Sequence, residues 1–160
     1  MKILFSTKYC LLIIIIALCM IFTNSCSEKE LSKEELLIAQ VDSFAYYYYN
    51  WRFKDAMPYC TSTSEKWLKY ASSNVHDVDI DTLRNQTEGA SCEIEDVEIN
   101  DNTNTATVKI TVKNFLQMDT IGTSCHMINE GSFTLQAIYI NRNWKIRMEG
   151  LPQNEKQNHD

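Results

Sequence analysis

The chain has 160 residues, with 15 Lys and Arg against 21 Asp and Glu, 44% hydrophobic residues, and only 4 Gly and 2 Pro. That length holds one domain whose core needs no metal and no dense cross-linking. A net charge of −6 without any basic stripe argues against a nucleic-acid surface, because a duplex is held mainly by neutralising its phosphates, and equally against docking of the folded surface on anionic lipid.

Residues 1–25 read as a secretory leader: Lys2 and Lys8, an apolar run from Leu11 to Phe22, then Thr23-Asn24-Ser25. The run is shorter than the roughly 20 residues a membrane-spanning helix needs. Ser25-Cys26 after such a run resembles a lipobox, in which a small residue precedes a cysteine whose thiol takes diacylglycerol, although Thr23 stands where many lipoboxes have Leu. The resemblance implies a bacterial lipoprotein held at the outer membrane by lipid, palmitate included, on Cys26, with residues 26–31 as tether. Ser27-Glu28-Lys29-Glu30 resembles the short acidic signal of surface-exported lipoproteins, and a solvated tether accounts for the same residues, so the periplasmic and cell-surface sides both stay open. Without Lys2 and Lys8 the remainder carries 13 basic and 21 acidic side chains, a net −8.

Cys10 and Cys19 leave with the leader and Cys26 is lipidated, which leaves Cys60, Cys92 and Cys125 in an oxidising compartment. Three is odd, so one disulfide and one thiol are expected, with three pairings possible. Cys60–Cys92 is favoured, because the two bracket the helical middle and closing a loop of about 30 residues is worth roughly 3–4 kcal/mol. Cys125 and His126 point to opposite faces of an extended segment. There is no Cys-x-x-Cys, and His76, His126 and His159 have no ligand spacing, so neither metal nor cofactor is expected.

Ser32-x-x-Glu35 is a capping box that opens a helix. Leu37, Val41, Phe44, Tyr48 and Trp51 then share one face, while Tyr46–Tyr49 wraps around it. Pro58 breaks or redirects the chain, and Ser62-x-x-Glu65 offers a second box for a helix through Trp67, Leu68, Tyr70 and Ala71. Asp77 or Asp79 caps a short third helix that reaches about Asn85, before Gly89. From Ser91 the period becomes two. Cys92 and Ile94 lie in one phase and Val97 and Ile99 in the other, which places a β-bulge near Glu95-Asp96. Asp101–Asn104 is a turn, and Ala106, Val108, Ile110 and Val112 face inward on the next strand. A third strand begins around Phe133 and Leu135, and Asn141-Arg142-Asn143 links it to a fourth carrying Trp144, Ile146 and Met148. Residues 151–160 read as a polar, disordered tail. The expected class is α+β, with N-terminal helices packed on a curved antiparallel sheet of about four strands to form a cone.

Val41-x-x-Phe44, the tyrosines leading into Trp51-Arg52-Phe53-Lys54-Asp55-Ala56, Tyr59-Cys60-Thr61 and Trp144-Lys145-Ile146-Arg147-Met148 together resemble the nuclear-transport-factor-2-like or cystatin-like (SnoaL-like) superfamily, over residues 32–150. The superfamily includes isomerases, cyclases, dehydratases and plain binding modules, so the resemblance implies a fold and leaves the chemistry open. An enzyme of this kind needs an acid or base inside the cone. The inward strand positions hold none, and Asp55, Asp119 and His126 qualify by residue type alone, so no catalytic residue is expected. Tyr47, Tyr48, Trp51 and Trp144 are the expected lining of a pocket. The leading expectation is a membrane-anchored module that binds a small apolar ligand or another envelope protein. The alternative is a SnoaL- or ketosteroid-isomerase-like enzyme acting on a small apolar substrate.

Overall fold

The Ser32 hydroxyl accepts the Glu35 amide at 3.1 Å and the Glu35 carboxylate accepts the Ser32 amide at 2.7 Å, so both arms of the capping box are closed. Helix α1 follows over Lys33–Tyr49, with Leu37, Val41 and Phe44 fully buried along one face. The computed structural model describes residues 31–118 and 125–155. The expected leader, the lipidation site Cys26, most of the tether, Asp119 and His159 lie outside the described residues. Among those described, no helix is long and apolar enough to cross a membrane.

At the end of α1, Trp51 N–H donates to Tyr48 O (3.0 Å) and Arg52 N–H to Tyr47 O (2.8 Å), the paired bonds of a Schellman turn. The left-handed position of that turn, usually glycine, is Trp51 at φ 58°. Trp51 is therefore displaced from the helical stripe expected for it. Short helix α2 (Phe53–Ala56) and a 3-10 turn (Met57–Tyr59) carry the chain to Cys60, which bridges to Ile146.

Helix α3 (Glu65–Ser73) starts two residues later than a Ser62 cap would place it. Ser64 occupies the cap, and its hydroxyl is fully buried, bonded to Thr61 Oγ1 at 2.6 Å and accepting Met148 N–H at 2.8 Å. Glu65 is then the first helical residue, too early to close a box, and pairs with Lys69 instead. Helix α4 (Asp77–Arg84) begins after His76, whose amide donates to the Asp79 carboxylate at 2.9 Å.

Strands β1 (Ser91–Asn100), β2 (Thr105–Gln117), β3 (His126–Ile140) and β4 (Asn143–Arg147) form one antiparallel sheet in chain order, which gives the expected α+β class. The β1–β2 register slips between Ile94 and Asp96, where the change of phase placed a bulge. The extra residue, Glu95, accepts a hydrogen bond from Thr111 on the outer face. Asn100 Oδ1 holds the amides of Asn102 and Thr103 in the turn, and Asn141 and Arg142, at φ 52° and 63°, form the two-residue link to β4. Because α1 touches both edge strands, β1 and β4, the sheet curls around it. Ala106, Val108, Ile110, Val112, Phe133, Leu135, Trp144, Ile146 and Met148 all point into the core, as their alternation requires.

Two boundaries differ from expectation. Strand β3 begins at His126 rather than near Phe133: its first residues, His126 to Glu130, pair with the end of β2 but are themselves exposed or half-buried, so they carry no apolar alternation. Residues 151–155 are folded rather than disordered: Asn154 is 6% exposed and accepts the Ser132 amide at 3.2 Å, and Glu155 accepts the Thr134 hydroxyl.

Candidate functional site

Beyond the C-terminal end of α1 the inner face of the sheet opens into a cleft of about 320 Å³. Tyr48, Tyr49, Trp51, Phe53, Phe115 and Phe133 supply its rings. Leu116 and Met118 continue the β2 side, and Leu151 and Pro152 close the opposite side, with the carboxamides of Gln117, Gln153 and Asn154 as the polar groups.

Local chemistry explains the position of each wall. The left-handed turn at Trp51 swings its indole out of the helical line, and the indole N–H fixes it on Leu116 O at 3.0 Å. Asn114, at φ 55°, reverses the phase of β2, so that Phe115 rather than Asn114 follows Val112 into the interior. Gly131 leaves room for the tail: a Cβ there would lie 2.8 Å from Asn154 Nδ2 and 3.0 Å from the Phe115 ring.

The rings pack edge to face, with interplanar angles of 84° for Tyr48–Tyr49, 73° for Tyr49–Phe115 and 73° for Phe115–Phe133. Burial drives both phenols well above their ordinary pKa, with a smaller push from the Cys60 thiol on Tyr48 and from Tyr48 and Cys92 on Tyr49. The Tyr49 hydroxyl, on a side chain 5% exposed, has no hydrogen-bond partner among the described residues. The described wall thus offers apolar surface, protonated phenols and carboxamides, and no carboxylate, imidazole or ammonium group.

The expected pocket residues divide. Tyr48 and Trp51 are in this wall. Trp144 is fully buried in the core, where its indole N–H donates to Lys33 O at 2.8 Å. Tyr47 faces another side, under the Arg52 guanidinium and stacked on Tyr59, beside a separate hollow with Asp42, Tyr46 and Cys92. Tyr49, Phe53, Phe115, Phe133 and the tail were missed. The apolar alternation marked Phe133 as inward, but nothing in it marked a gap.

The Cys60–Cys92 disulfide is corrected. Both are thiols, Cys60 outside β4 against Ile146 and Cys92 on β1 opposite Val112. They stand at opposite edges of the sheet, whereas a disulfide requires Cα atoms within roughly 7 Å. Burial raises each thiol to about 12; Lys145 opposes the shift at Cys60, and Asp42 and Glu93 add to it at Cys92. Cys125 hydrogen-bonds Asp79, a carboxylate 2% exposed that also lies 3.3 Å from His76 Nδ1. Asp55 is paired with Arg52 at 2.8 Å, and His126 is exposed on the β3 ribbon. Among the described residues no group of three His, Cys, Asp or Glu side chains converges on a metal-sized site.

No family profile matches the chain, and no curated protein matches it. Among solved structures it is similar to a Campylobacter jejuni protein described as a candidate NTF2-like transpeptidase, at 19% identity over 74% of this chain and 100% of that one, with a TM-score of 0.46. It is also similar to the TraE protein solved in complex with 2-(2-furyl)isonicotinic acid, at 10% identity over 72% of this chain and 90% of that one, with a TM-score of 0.43. Likeness at this level carries no chemistry across.

Proposed function

We propose that this protein is a lipoprotein of the bacterial outer membrane, held by lipid on Cys26, whose folded part binds a small, largely apolar ligand in the aromatic cleft. One observation carries the reading: six aromatic side chains converge on a hollow whose described wall holds no charged group. Concave, mostly apolar surfaces with a few polar groups are the usual form of small-molecule sites. The outer face of the sheet supports an envelope-protein partner less well, because it carries Lys109, Lys113, Glu93 and Glu98, with Glu93 and Lys113 paired at 3.6 Å, and such solvated charges are depleted from the cores of protein interfaces. The isomerase-like alternative has no observation of its own, since the described wall lacks the carboxylate or imidazole it would use.

The test uses the full chain in lipid nanodiscs. Saturation transfer from protein to uncharged bicyclic fragments is expected for the wild type and is expected to vanish in Leu151→Trp, which fills the cleft. No transfer and no thermal shift with any fragment would overturn the reading. Cys26→Ala is expected to lose palmitate labelling and to leave the membrane fraction; a variant that stayed membrane-bound would refute the anchor.

A further inference from the structure

Several polar groups of the cleft wall are already engaged within the protein. Asn154 accepts the Ser132 amide at 3.2 Å, Gln153 donates to Leu151 O at 2.9 Å, the Trp51 indole donates to Leu116 O at 3.0 Å, and Gln117 is held as well. Tyr49 differs. Its side chain is 5% exposed, it belongs to the wall, and its hydroxyl is buried with no hydrogen-bond partner among the described residues.

A hydroxyl buried in this way carries a desolvation cost that a phenylalanine packed on the same neighbours would not. Water is a poor remedy, because a buried water needs about two to four polar partners, and the rings of Phe115 and Phe133 lie with their centroids 5.6 and 4.9 Å from that of Tyr49. Burial, and then the nearby Tyr48 phenol and Cys92 thiol, hold the Tyr49 hydroxyl in its protonated form, and neither neighbour bonds it. What stands at this point of the wall is therefore an O–H donor among rings. An apolar molecule with an acceptor atom at its edge meets both conditions at once: its body packs on the rings and its acceptor takes the hydroxyl.

We infer that the ligand of the cleft, granted the ligand reading above, is a ring system with a hydrogen-bond acceptor on its edge, and that Tyr49 selects it by donating its hydroxyl to that atom. Because the hydroxyl is enclosed, the neighbouring rings shift as the ligand seats. Naphthalene, quinoline and isoquinoline share one shape, are uncharged at neutral pH, and differ in whether and where a ring nitrogen accepts a hydrogen bond. Titration of the full chain in phosphatidylcholine nanodiscs, with empty discs subtracted, gives the affinity of each azine relative to naphthalene. In Tyr49→Phe that ratio is expected to fall about three- to tenfold for at least one azine, the worth of one hydrogen bond, while naphthalene binds as before. The variant is also expected to unfold at the same urea concentration as the wild type or higher, because the hydroxyl it lacks has no partner to lose. A clear drop would reveal a partner inside the protein and overturn the inference. Ratios unaltered by the substitution for both azines would overturn it too, and would leave the ligand reading standing. If none of the three compounds and no other uncharged bicycle bound, the ligand reading itself would fall and this inference with it.

Discussion

Trp51 joins the end of α1 to the cleft, and two substitutions there separate its two roles. Its backbone is left-handed, at φ 58°, a conformation that costs an L-residue roughly 1–2 kcal/mol and glycine almost nothing. Its side chain is half-buried, packs against Phe53 with ring centroids 5.9 Å apart, and donates to Leu116 O at 3.0 Å. Truncating a fully buried Trp costs about 3–5 kcal/mol, so a half-buried one should cost about 2–3, including the lost hydrogen bond of about 1 kcal/mol. Trp51→Ala loses the indole and keeps the strained backbone, whereas Trp51→Gly loses the indole and relaxes the turn. The contact loss cancels between the two variants, so glycine should be the more stable by about 1 kcal/mol, or roughly 0.5 M in the urea midpoint at a slope of about 2 kcal/mol/M. Urea unfolding followed by far-ultraviolet dichroism reads that difference. If Trp51→Ala were as stable as Trp51→Gly, the turn would not be strained and this account of why the indole leaves the helical line would fail.

Other substitutions test the remaining supports. Ser64→Ala leaves the Met148 amide without its buried acceptor and should cost about 1–3 kcal/mol in the same assay, far more than Ser62→Ala, the exposed position the sequence pattern favoured. Burial alone would raise the pKa of Asp79, but the His76 amide, Cys125 and the His76 ring outweigh it and hold it below the ordinary carboxylate range. Its stabilising contribution is therefore complete above that range and lost as pH falls through the depressed native value. Asp79→Asn should unfold at lower urea than the wild type at pH 7, by about 1–3 kcal/mol, and the gap between the two midpoints should close as pH falls below the ordinary carboxylate range. Gly131→Ala drives a methyl group against Asn154 and Phe115 and should cost about 1–3 kcal/mol, with faster hydrogen exchange at the Ser132 amide as the Asn154 clamp is lost. Reductant should leave the thermal midpoint unchanged, because Cys60 and Cys92 are already thiols.

The features legible in the sequence are those whose cause lies within a few residues. The Ser32–Glu35 box, the bulge at Glu95 and the Asn141-Arg142 link each follow from side chains that bond their own neighbours or from a change of phase visible in one strand. Ser62 failed as a cap because the deciding partner, the Met148 amide, is 84 residues from Ser64 in the chain. The tail read as disordered because its composition is polar, yet the polar group that matters, the Asn154 carboxamide, is used to close an open position on β3. Trp51 kept the spacing of a helical stripe while its backbone had already left the helix, and spacing alone does not register the sign of φ.

The cleft was hidden for a related reason: it arises where strands stop. Strand β1 reaches no further along β2 than Lys113, and β4 no further along β3 than Gln136, whereas β2 and β3 go on pairing with each other to Gln117 and His126. Phe115 points inward past the ends of both neighbouring strands, and Phe133 past the end of β4, its partner Ile110 still pairing with Ile94 on β1. A sheet with four equal strands would have roofed them with side chains of β1 and β4. Here the roof comes instead from the end of α1, the indole of Trp51 and the returning tail at Leu151–Asn154, which do not fill the space a strand would fill. Strand length is a difference between partners, set by register across segments far apart in the chain, so no single segment carries it in its own pattern. The aromatic residues were legible one by one, and the hollow they surround is a property of where their neighbours end.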